Sequence, residues 1–101
     1  MIVEYIRYKL PDGLNIEFEK DYAKAVEFLS ASSVCHGYEL THCEEEPQRY
    51  VLRILWTSTE DHLTIFRSSE EFKGFFALIK SYIPYIEEMQ HYNFTGISLS
   101  K

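Results

Sequence analysis

The chain has 101 residues, the size of one ordinary domain, and 46% of them are hydrophobic. Sixteen acidic and ten basic residues give a formal net charge of −6, and no run of lysine or arginine supplies the positive patch that nucleic acids and anionic membranes require. No apolar run approaches the roughly 20 residues that span a bilayer. The start IVEYIRY lacks the features of a secretion signal, so we expect a cytoplasmic protein that binds neither nucleic acid nor membrane.

The first predicted elements are a strand and a helix. Residues 2–10 alternate between apolar and polar side chains, which indicates a strand that ends at the turn signal Pro11-Asp12-Gly13. From Asn15, apolar side chains recur at helical spacing until the serine-rich residues 30–33, where the helix is expected to end. Asp12 or Asn15 is the expected N-cap, because short polar side chains satisfy the free N–H groups of a first helical turn.

Two further strands are predicted over residues 34–44 and 49–57, and the polar connection 45–48 joins them as a hairpin. Cys35 and Cys43 lie eight residues apart in the first of these strands, which separates them by about 26 Å in an extended chain. A disulfide requires Cα atoms within about 7 Å of each other, so both cysteines are expected to be free thiols.

The second half of the chain predicts a broken helix and a last strand. Residues 58–61 and 68–71 both combine serine with acidic residues in the pattern of a helix start, and Pro84 interrupts the helical pattern that follows. Residues 86–99 predict the last strand. The resulting order β-α-β-β-α-β is that of an α+β, ferredoxin-like split β-α-β fold. In it a four-stranded antiparallel sheet carries the helices on one face, and residues 1–101 form a single domain.

The sheet face without helices is predicted to be a homodimer interface. Its members in the first and third strands include Val3, Tyr5, Val51, Arg53, Leu55 and Thr57. A face of this apolar character is expected to be covered by a second copy in a two-fold arrangement. The candidate interface residues are Tyr5, Arg7, Glu39 and Arg53. We expect Glu39 and Arg53, on adjacent strands, to form an ion pair that Arg7 joins.

Motifs spread along nearly the whole chain resemble a known family. They are EYIRYKLP in the first strand, CHGYEL in the second, LRILW in the third, Ser58 with His62, FRS and EFKGFF in the helices, and EMQHY near the end. With these motifs the chain resembles the antibiotic biosynthesis monooxygenase domains of the dimeric α+β barrel superfamily. Within that family it is most similar to the subgroup associated with truncated haemoglobins.

The resemblance implies a cavity between the helices and the sheet, where family members oxygenate phenolic or quinol-like substrates without metal, flavin or haem. The predicted function is therefore that of a cofactor-independent monooxygenase for a small aromatic substrate. The candidate catalytic residues are His62, Trp56 and His91, because histidine exchanges protons near neutral pH. The candidate substrate-binding residues are Tyr22, Phe66, Phe72, Phe76 and Tyr92. Because His91 and Tyr92 are neighbours in a strand, only one of them can line the cavity.

No cofactor or metal site is predicted. His36 and His42 are about 20 Å apart in an extended strand, which is too far for one metal centre. No glycine-rich loop of the phosphate-binding type is present. In the haem-degrading branch of the superfamily the axial histidine corresponds to Phe76, and two further haem-site positions correspond to Phe66 and Ile65. Haem breakdown is therefore not expected, unless His62 or His91 serves as a substitute ligand.

Two alternatives to catalysis stay open at this point. The first is a non-catalytic dimeric module that binds a small ligand or works with a truncated haemoglobin. The second is a domain whose cavity is filled by its own phenylalanine side chains. The volume of the cavity separates these possibilities, because a drug-sized ligand requires a space of roughly 300 Å³.

Overall fold

The computed structural model describes residues 1–101 and contains one four-stranded sheet with the helices on one face. The strands are β1 (Ile2–Lys9), β2 (Cys35–His42), β3 (Arg49–Trp56) and β4 (Ile86–Asn93). The helices are α1 (Asn15–Ser30), α2 (Thr59–Asp61), which continues as a π-helical turn (His62–Phe66), and α3 (Glu70–Ile79), which continues as a 3₁₀ helix (Lys80–Tyr85). The sheet order is β2-β3-β1-β4 and every pair is antiparallel, which confirms the predicted ferredoxin-like fold. None of the helices has the length and apolar character needed to cross a membrane.

Helix α1 begins without the predicted side-chain cap. Its N-cap position is Leu14, and neither Asp12 nor Asn15 caps the first turn. The side-chain amide of Asn15 instead donates to the carbonyl oxygen of Pro47 at 2.6 Å, and Asp12 accepts a hydrogen bond from Gln48. These side chains are therefore used to tie the start of α1 to the turn between β2 and β3.

The predicted starts of the broken helix are confirmed. The Ser58 hydroxyl accepts the backbone N–H of Asp61 at 3.0 Å, and the Ser69 hydroxyl accepts the N–H of Phe72 at 3.2 Å. Between these starts the backbone widens into a π-helical turn, in which the N–H of Arg67 donates to the carbonyl of His62. Single π-helical turns are rare and often occur at functional sites. This turn buries His62 and Phe66 against the sheet.

Strand β4 is shorter than predicted, because it ends at Asn93 and not at residue 99. Asn93 pairs with Ile2, the first residue of β1, so the chain beyond Asn93 has no neighbouring strand to pair with. The following apolar side chains Phe94, Ile97 and Leu99 are exposed. The two cysteines are free, as predicted.

The core between α1, α3 and the sheet is centred on Phe18. The Phe18 side chain is fully buried, and its ring centroid lies 4.7–5.0 Å from the centroids of four tyrosine rings, which are Tyr8, Tyr22, Tyr50 and Tyr82. The hydroxyl groups of these tyrosines bond to one another or to acidic residues of α1, so the aromatic core contains no free phenol. Aromatic rings at these spacings contribute about 0.5–1.5 kcal/mol per pair beyond the area that they bury.

The opposite face of the sheet, here called the outer face, carries Val3, Tyr5, Arg7, Val51, Arg53, Leu55, Glu39 and Tyr92. The predicted ion pair between Glu39 and Arg53 is not formed, although the two residues are opposite each other in the strand register. Arg7 instead pairs with Glu88 at 3.3 Å, because β4 places Glu88 directly opposite it. Glu39 and Arg53 therefore remain available to a partner.

Candidate functional site

A mostly apolar cavity of about 160 Å³ lies between the helices and the inner face of the sheet. Fourteen of its seventeen lining residues are hydrophobic, and six of the predicted site residues are among them: Tyr22, Trp56, His62, Phe66, Phe72 and Phe76. The volume is about half of the roughly 300 Å³ that a drug-sized ligand needs, whereas an apolar cavity of about 150 Å³ holds a benzene ring. The cavity therefore has the size for one small ring.

The polar end of the cavity is formed by Glu4, Trp56 and His62. Glu4 and Trp56 are diagonal neighbours on the inner face of β1 and β3, and the indole N–H donates to Oε1 of Glu4 at 2.9 Å. The His62 ring stacks on Trp56 with centroids 4.3 Å apart and planes within 9° of parallel. Its Nε2 atom lies 3.7 Å from the same carboxylate oxygen. All three side chains are buried, so their geometry is fixed by packing.

Burial controls the protonation of this group. It raises the pKa of the Glu4 carboxyl, although the indole hydrogen bond and the charge of Arg67 act in the opposite direction. Burial also lowers the pKa of His62 to about 3, and the charges of Arg67 and His91 add to this effect. His62 is therefore neutral at neutral pH, and its contact with Glu4 is not an ion pair.

His91 completes the arrangement from β4. The strand register places His91 opposite Glu4, and its Nε2 atom lies 2.7 Å from Nδ1 of His62, so the two imidazoles share a hydrogen bond. Burial and the charge of Arg67 lower the pKa of His91 as well. The sequence indicated His62 and His91 separately, and the structure joins them through this hydrogen bond.

Glu4 and Arg67 are polar lining residues of the cavity that the sequence patterns did not predict, and Glu4 is the buried one. It occupies an inward position of β1, between Ile2 and Ile6, and its side chain is only 2% exposed. The signal was present in the strand pattern, because an acidic residue at an inward position is rarely buried without a partner or a function.

Tyr92 is not part of the cavity, contrary to the prediction. Side chains alternate along β4, so that His91 points to the inner face and Tyr92 to the outer face. The Tyr92 ring packs edge-on against Tyr5 at 5.3 Å, and its hydroxyl donates to Glu88 at 2.9 Å. The remaining tyrosine candidate, Tyr22, lines the cavity with its hydroxyl bonded to that of Tyr8.

Glu4, His62 and His91 also bring three potential metal-ligand atoms within 4.8 Å of one another, a grouping that was not predicted from the sequence. A transition metal needs its donor atoms to converge on one point at about 2.0–2.2 Å. Here His62 presents Nε2 to Glu4 and Nδ1 to His91, so the three side chains form a chain and not a converging set. Of the other two histidines, His42 stacks on Tyr50 and His36 is exposed.

The sequence model of the antibiotic biosynthesis monooxygenase family matches residues 1–78. The chain belongs to this family. A Bacillus subtilis relative, uncharacterized protein YczJ, is 28% identical over 92 residues, which cover 91% of this chain and 97% of that protein.

Solved structures of the family have the same fold. A Bordetella bronchiseptica protein named as an antibiotic biosynthesis monooxygenase is 27% identical, with a TM-score of 0.78 over 93% of this chain and 96% of that one. A variant of SnoaB, a cofactor-independent oxygenase from Streptomyces nogalater, gives a TM-score of 0.77 over 95% of this chain and 94% of that one. Its sequence identity is 15%, so this similarity establishes the shared fold alone.

Acid is expected to destabilise the protein through His62. The pKa of His62 is about 3 in the folded protein and near 6.5 ordinarily, so between these values the unfolded chain binds a proton that the folded protein does not. The free energy of unfolding therefore falls by up to about 1.4 kcal/mol for each pH unit below about 6.5. The raised pKa of Glu4 changes the free energy of unfolding in the opposite direction. The stability that protonated Glu4 contributes is lost as the pH rises through its pKa in the folded protein. Urea unfolding at pH 7 and pH 5 measures the net slope.

The variant His62→Gln is expected to lose less stability than the wild type between pH 7 and pH 5. His36→Gln is the matched control, because it makes the same change at an exposed position. An equal loss of stability in wild type and His62→Gln would contradict the burial of a neutral His62.

Proposed function

We propose that the protein binds a single-ring phenol or quinol in the cavity and oxygenates it with O₂ without a cofactor. The observation that carries this proposal is the apolar cavity of about 160 Å³ with a buried carboxyl group at its polar end. Membership of the monooxygenase family supports the reaction class. The small volume restricts the substrate to one ring.

In this proposal the aromatic walls hold the ring and Glu4 accepts its hydroxyl proton. Oε1 of Glu4 is engaged by the Trp56 indole, whereas no hydrogen bond within the protein uses Oε2, and Glu4 lines the cavity. The raised pKa of Glu4 makes its carboxylate a stronger base than an exposed glutamate. The resulting phenolate is electron-rich, and the apolar walls keep water away from it.

The substrate itself supplies the electrons in the proposed reaction. A phenol and O₂ give a quinone and water, so that one oxygen atom enters the ring and the other leaves as water. The protein then has to bind the ring, accept and return protons, and exclude solvent. These tasks match the residues that line the cavity, and no step requires a group from outside the chain other than O₂.

Oxygen uptake with two sets of compounds tests the proposal. Single-ring hydroquinones and catechols are expected to support saturable uptake and to give hydroxyquinones, with the second oxygen atom released as water. Three-ring anthrones are expected to give no uptake above buffer. His62→Ala is expected to lower the uptake at least about tenfold, whereas His36→Ala, at an exposed residue of β2, is the control and stays active. No uptake by the wild type with any single-ring compound would contradict the oxygenase and favour the non-catalytic module.

We also propose that the outer face forms a homodimer. Domains of this family are typically dimeric, and the outer face combines apolar side chains with the unpaired charges Glu39 and Arg53. In a two-fold arrangement Glu39 of each copy can meet Arg53 of the other, with Tyr5 and Arg7 beside them. Half-buried Leu55 lies on this face, in the inner strand β3 opposite Val3.

Leu55→Asp is expected to convert the dimer to a monomer of 12.0 kDa, because it places a charge in an apolar interface. Light scattering at micromolar concentration measures the mass. Ile16→Asp is the control, since Ile16 is 86% exposed on α1. A wild type that is itself a stable 12.0 kDa monomer would contradict the proposed dimer.

The association with a truncated haemoglobin, the cytoplasmic location and the organisation of residues 1–101 as a single domain stay predictions. A globin partner is tested by mixing the purified proteins and measuring their co-elution, with Leu55→Asp as a variant that separates dimerisation from globin binding.

A further inference from the structure

Glu4, His62 and His91 form a continuous line from the buried end of the cavity towards the surface. Glu4 and His62 both line the cavity and are buried, whereas His91 on the edge strand β4 does not line it and is half-buried. The two nitrogens of His62 face different neighbours, Nε2 towards Glu4 and Nδ1 towards His91. An imidazole with one nitrogen towards each neighbour can accept a proton on one side and release a proton on the other.

We propose that these three side chains form a proton relay that carries the proton of a bound ring hydroxyl from the cavity to solvent, with His91 as its outer member. The relay rests on the proposed function only in the identity of the proton donor, which is a phenolic hydroxyl. It does not require that O₂ react.

Every proton is accounted for in the relay. The ring hydroxyl gives its proton to the Glu4 carboxylate. Glu4 then donates this proton to Nε2 of His62, the proton on Nδ1 of His62 passes to Nε2 of His91, and His91 releases its Nδ1 proton to water. His62 changes only its tautomer and stays neutral. The step from Glu4 to His62 requires the carboxyl group to turn, so that the protonated Oε2 and not Oε1 faces Nε2. It also requires the 3.7 Å separation now seen between Oε1 and Nε2 to close to hydrogen-bond distance, about 2.8 Å.

The surroundings of His62 favour transfer of a proton through the imidazole and disfavour a proton that stays on it. The stacked Trp56 ring fixes the orientation of the imidazole, so both nitrogens stay aimed at their neighbours. The charged group that acts on all three members is Arg67, the residue directly after the π-helical turn, and its positive charge disfavours a lasting imidazolium at either histidine. The neighbouring phenols Tyr8 and Tyr22 are bonded to each other and carry raised pKa values, so they stay protonated and do not compete for the proton.

The relay is tested with 4-nitrophenol, a single-ring phenol whose ionised form absorbs visible light. The probe is bound to the protein, the pH is raised in a stopped-flow mixer, and the rate at which bound phenolate appears is recorded without any need for oxygenation. His91→Gln is expected to slow this rate at least about tenfold at similar affinity, because glutamine keeps a hydrogen bond to His62 but cannot take up and release a proton. His36→Ala is expected to leave the rate unchanged.

His91→Ala provides a second variant that distinguishes proton transfer from a structural role. Because His91 is half-buried, imidazole in the buffer is expected to reach the vacated space and to restore the rate in proportion to its concentration. Equal rates in wild type and His91→Gln, or no rescue of His91→Ala by imidazole, would overturn the relay.

The outcomes of this experiment separate the relay from the oxygenase. A fast, His91-dependent ionisation of the probe with no oxygen uptake on any substrate supports the relay and contradicts the oxygenase. A probe that does not bind contradicts the phenolic ligand and the relay together. Stoichiometric binding of Zn²⁺ or Fe²⁺ that needs all three side chains, with the ionisation rate changed by a chelator, would replace the relay by a metal centre.

Discussion

Replacing Glu4 with glutamine is expected to lower the turnover of a single-ring phenol at least about 100-fold, because the variant lacks the group that accepts the hydroxyl proton. Substrate affinity is expected to change little. The glutamine side-chain oxygen can still accept the indole N–H of Trp56, and the shape and apolar walls of the cavity are kept. Oxygen consumption gives kcat, and isothermal titration under nitrogen gives Kd, so loss of catalysis and loss of binding are measured separately.

Glu27→Gln is the matched control for this substitution, since it makes the same chemical change at an exposed position of α1. This control is expected to keep full turnover. If Glu4→Gln turned over as fast as the wild type, the proton acceptor would have to be another group, and the role assigned to the buried carboxyl would be wrong.

Phe18→Ala is expected to have the largest effect on stability, a loss of about 3–5 kcal/mol in the free energy of unfolding. Phe18 is completely buried and contacts four tyrosine rings, so its removal leaves a cavity that the surrounding rings cannot fill. For a domain of this length such a loss lowers Tm by more than about 10 °C. Urea unfolding and a thermal melt provide the two measurements.

Phe94→Ala is the matched control for Phe18→Ala, because the same group is removed from a side chain that is 54% exposed. Its effect is expected to stay within about 0.5 kcal/mol. A loss of less than about 1 kcal/mol in Phe18→Ala would mean that the rings around Phe18 can repack, contrary to the close-packed arrangement of the core.

Most of the fold could be predicted from local patterns. Alternation in β1 and β3, helical spacing in α1, and the serine caps at Ser58 and Ser69 are interactions within a few residues, and all of them are formed as predicted. The predictions that were wrong concern features that depend on contacts with a distant segment of the chain. The end of β4 depends on where β1 begins, and the missing cap of α1 depends on the hairpin turn that takes up the side chain of Asn15.

The candidate site was predicted only in part for the same reason. Spacing identified the aromatic walls and both histidines, since each follows from the periodicity of its own element. The contact between His62 and His91 joins residues 29 positions apart, and the hydrogen bond from Trp56 to Glu4 joins residues 52 positions apart. No periodicity within one element encodes such contacts. Tyr92 was assigned to the cavity because the sequence of β4 does not show which of its side chains point to the inner face of the sheet. The pairing of β4 with β1 places Tyr92 on the outer face.

The sequence by itself determined the class of the fold, the free cysteines, the bare outer face and the aromatic character of the interior. These properties follow from composition and from periods of two and 3.6 residues, which need no knowledge of the partner elements. Only the tertiary structure decided the size of the cavity, the burial of Glu4 and the line of Glu4, His62 and His91. Volume, desolvation and proton-transfer geometry all depend on how separate elements pack in three dimensions, and for this protein these quantities determine which substrate and which chemistry the cavity can accommodate.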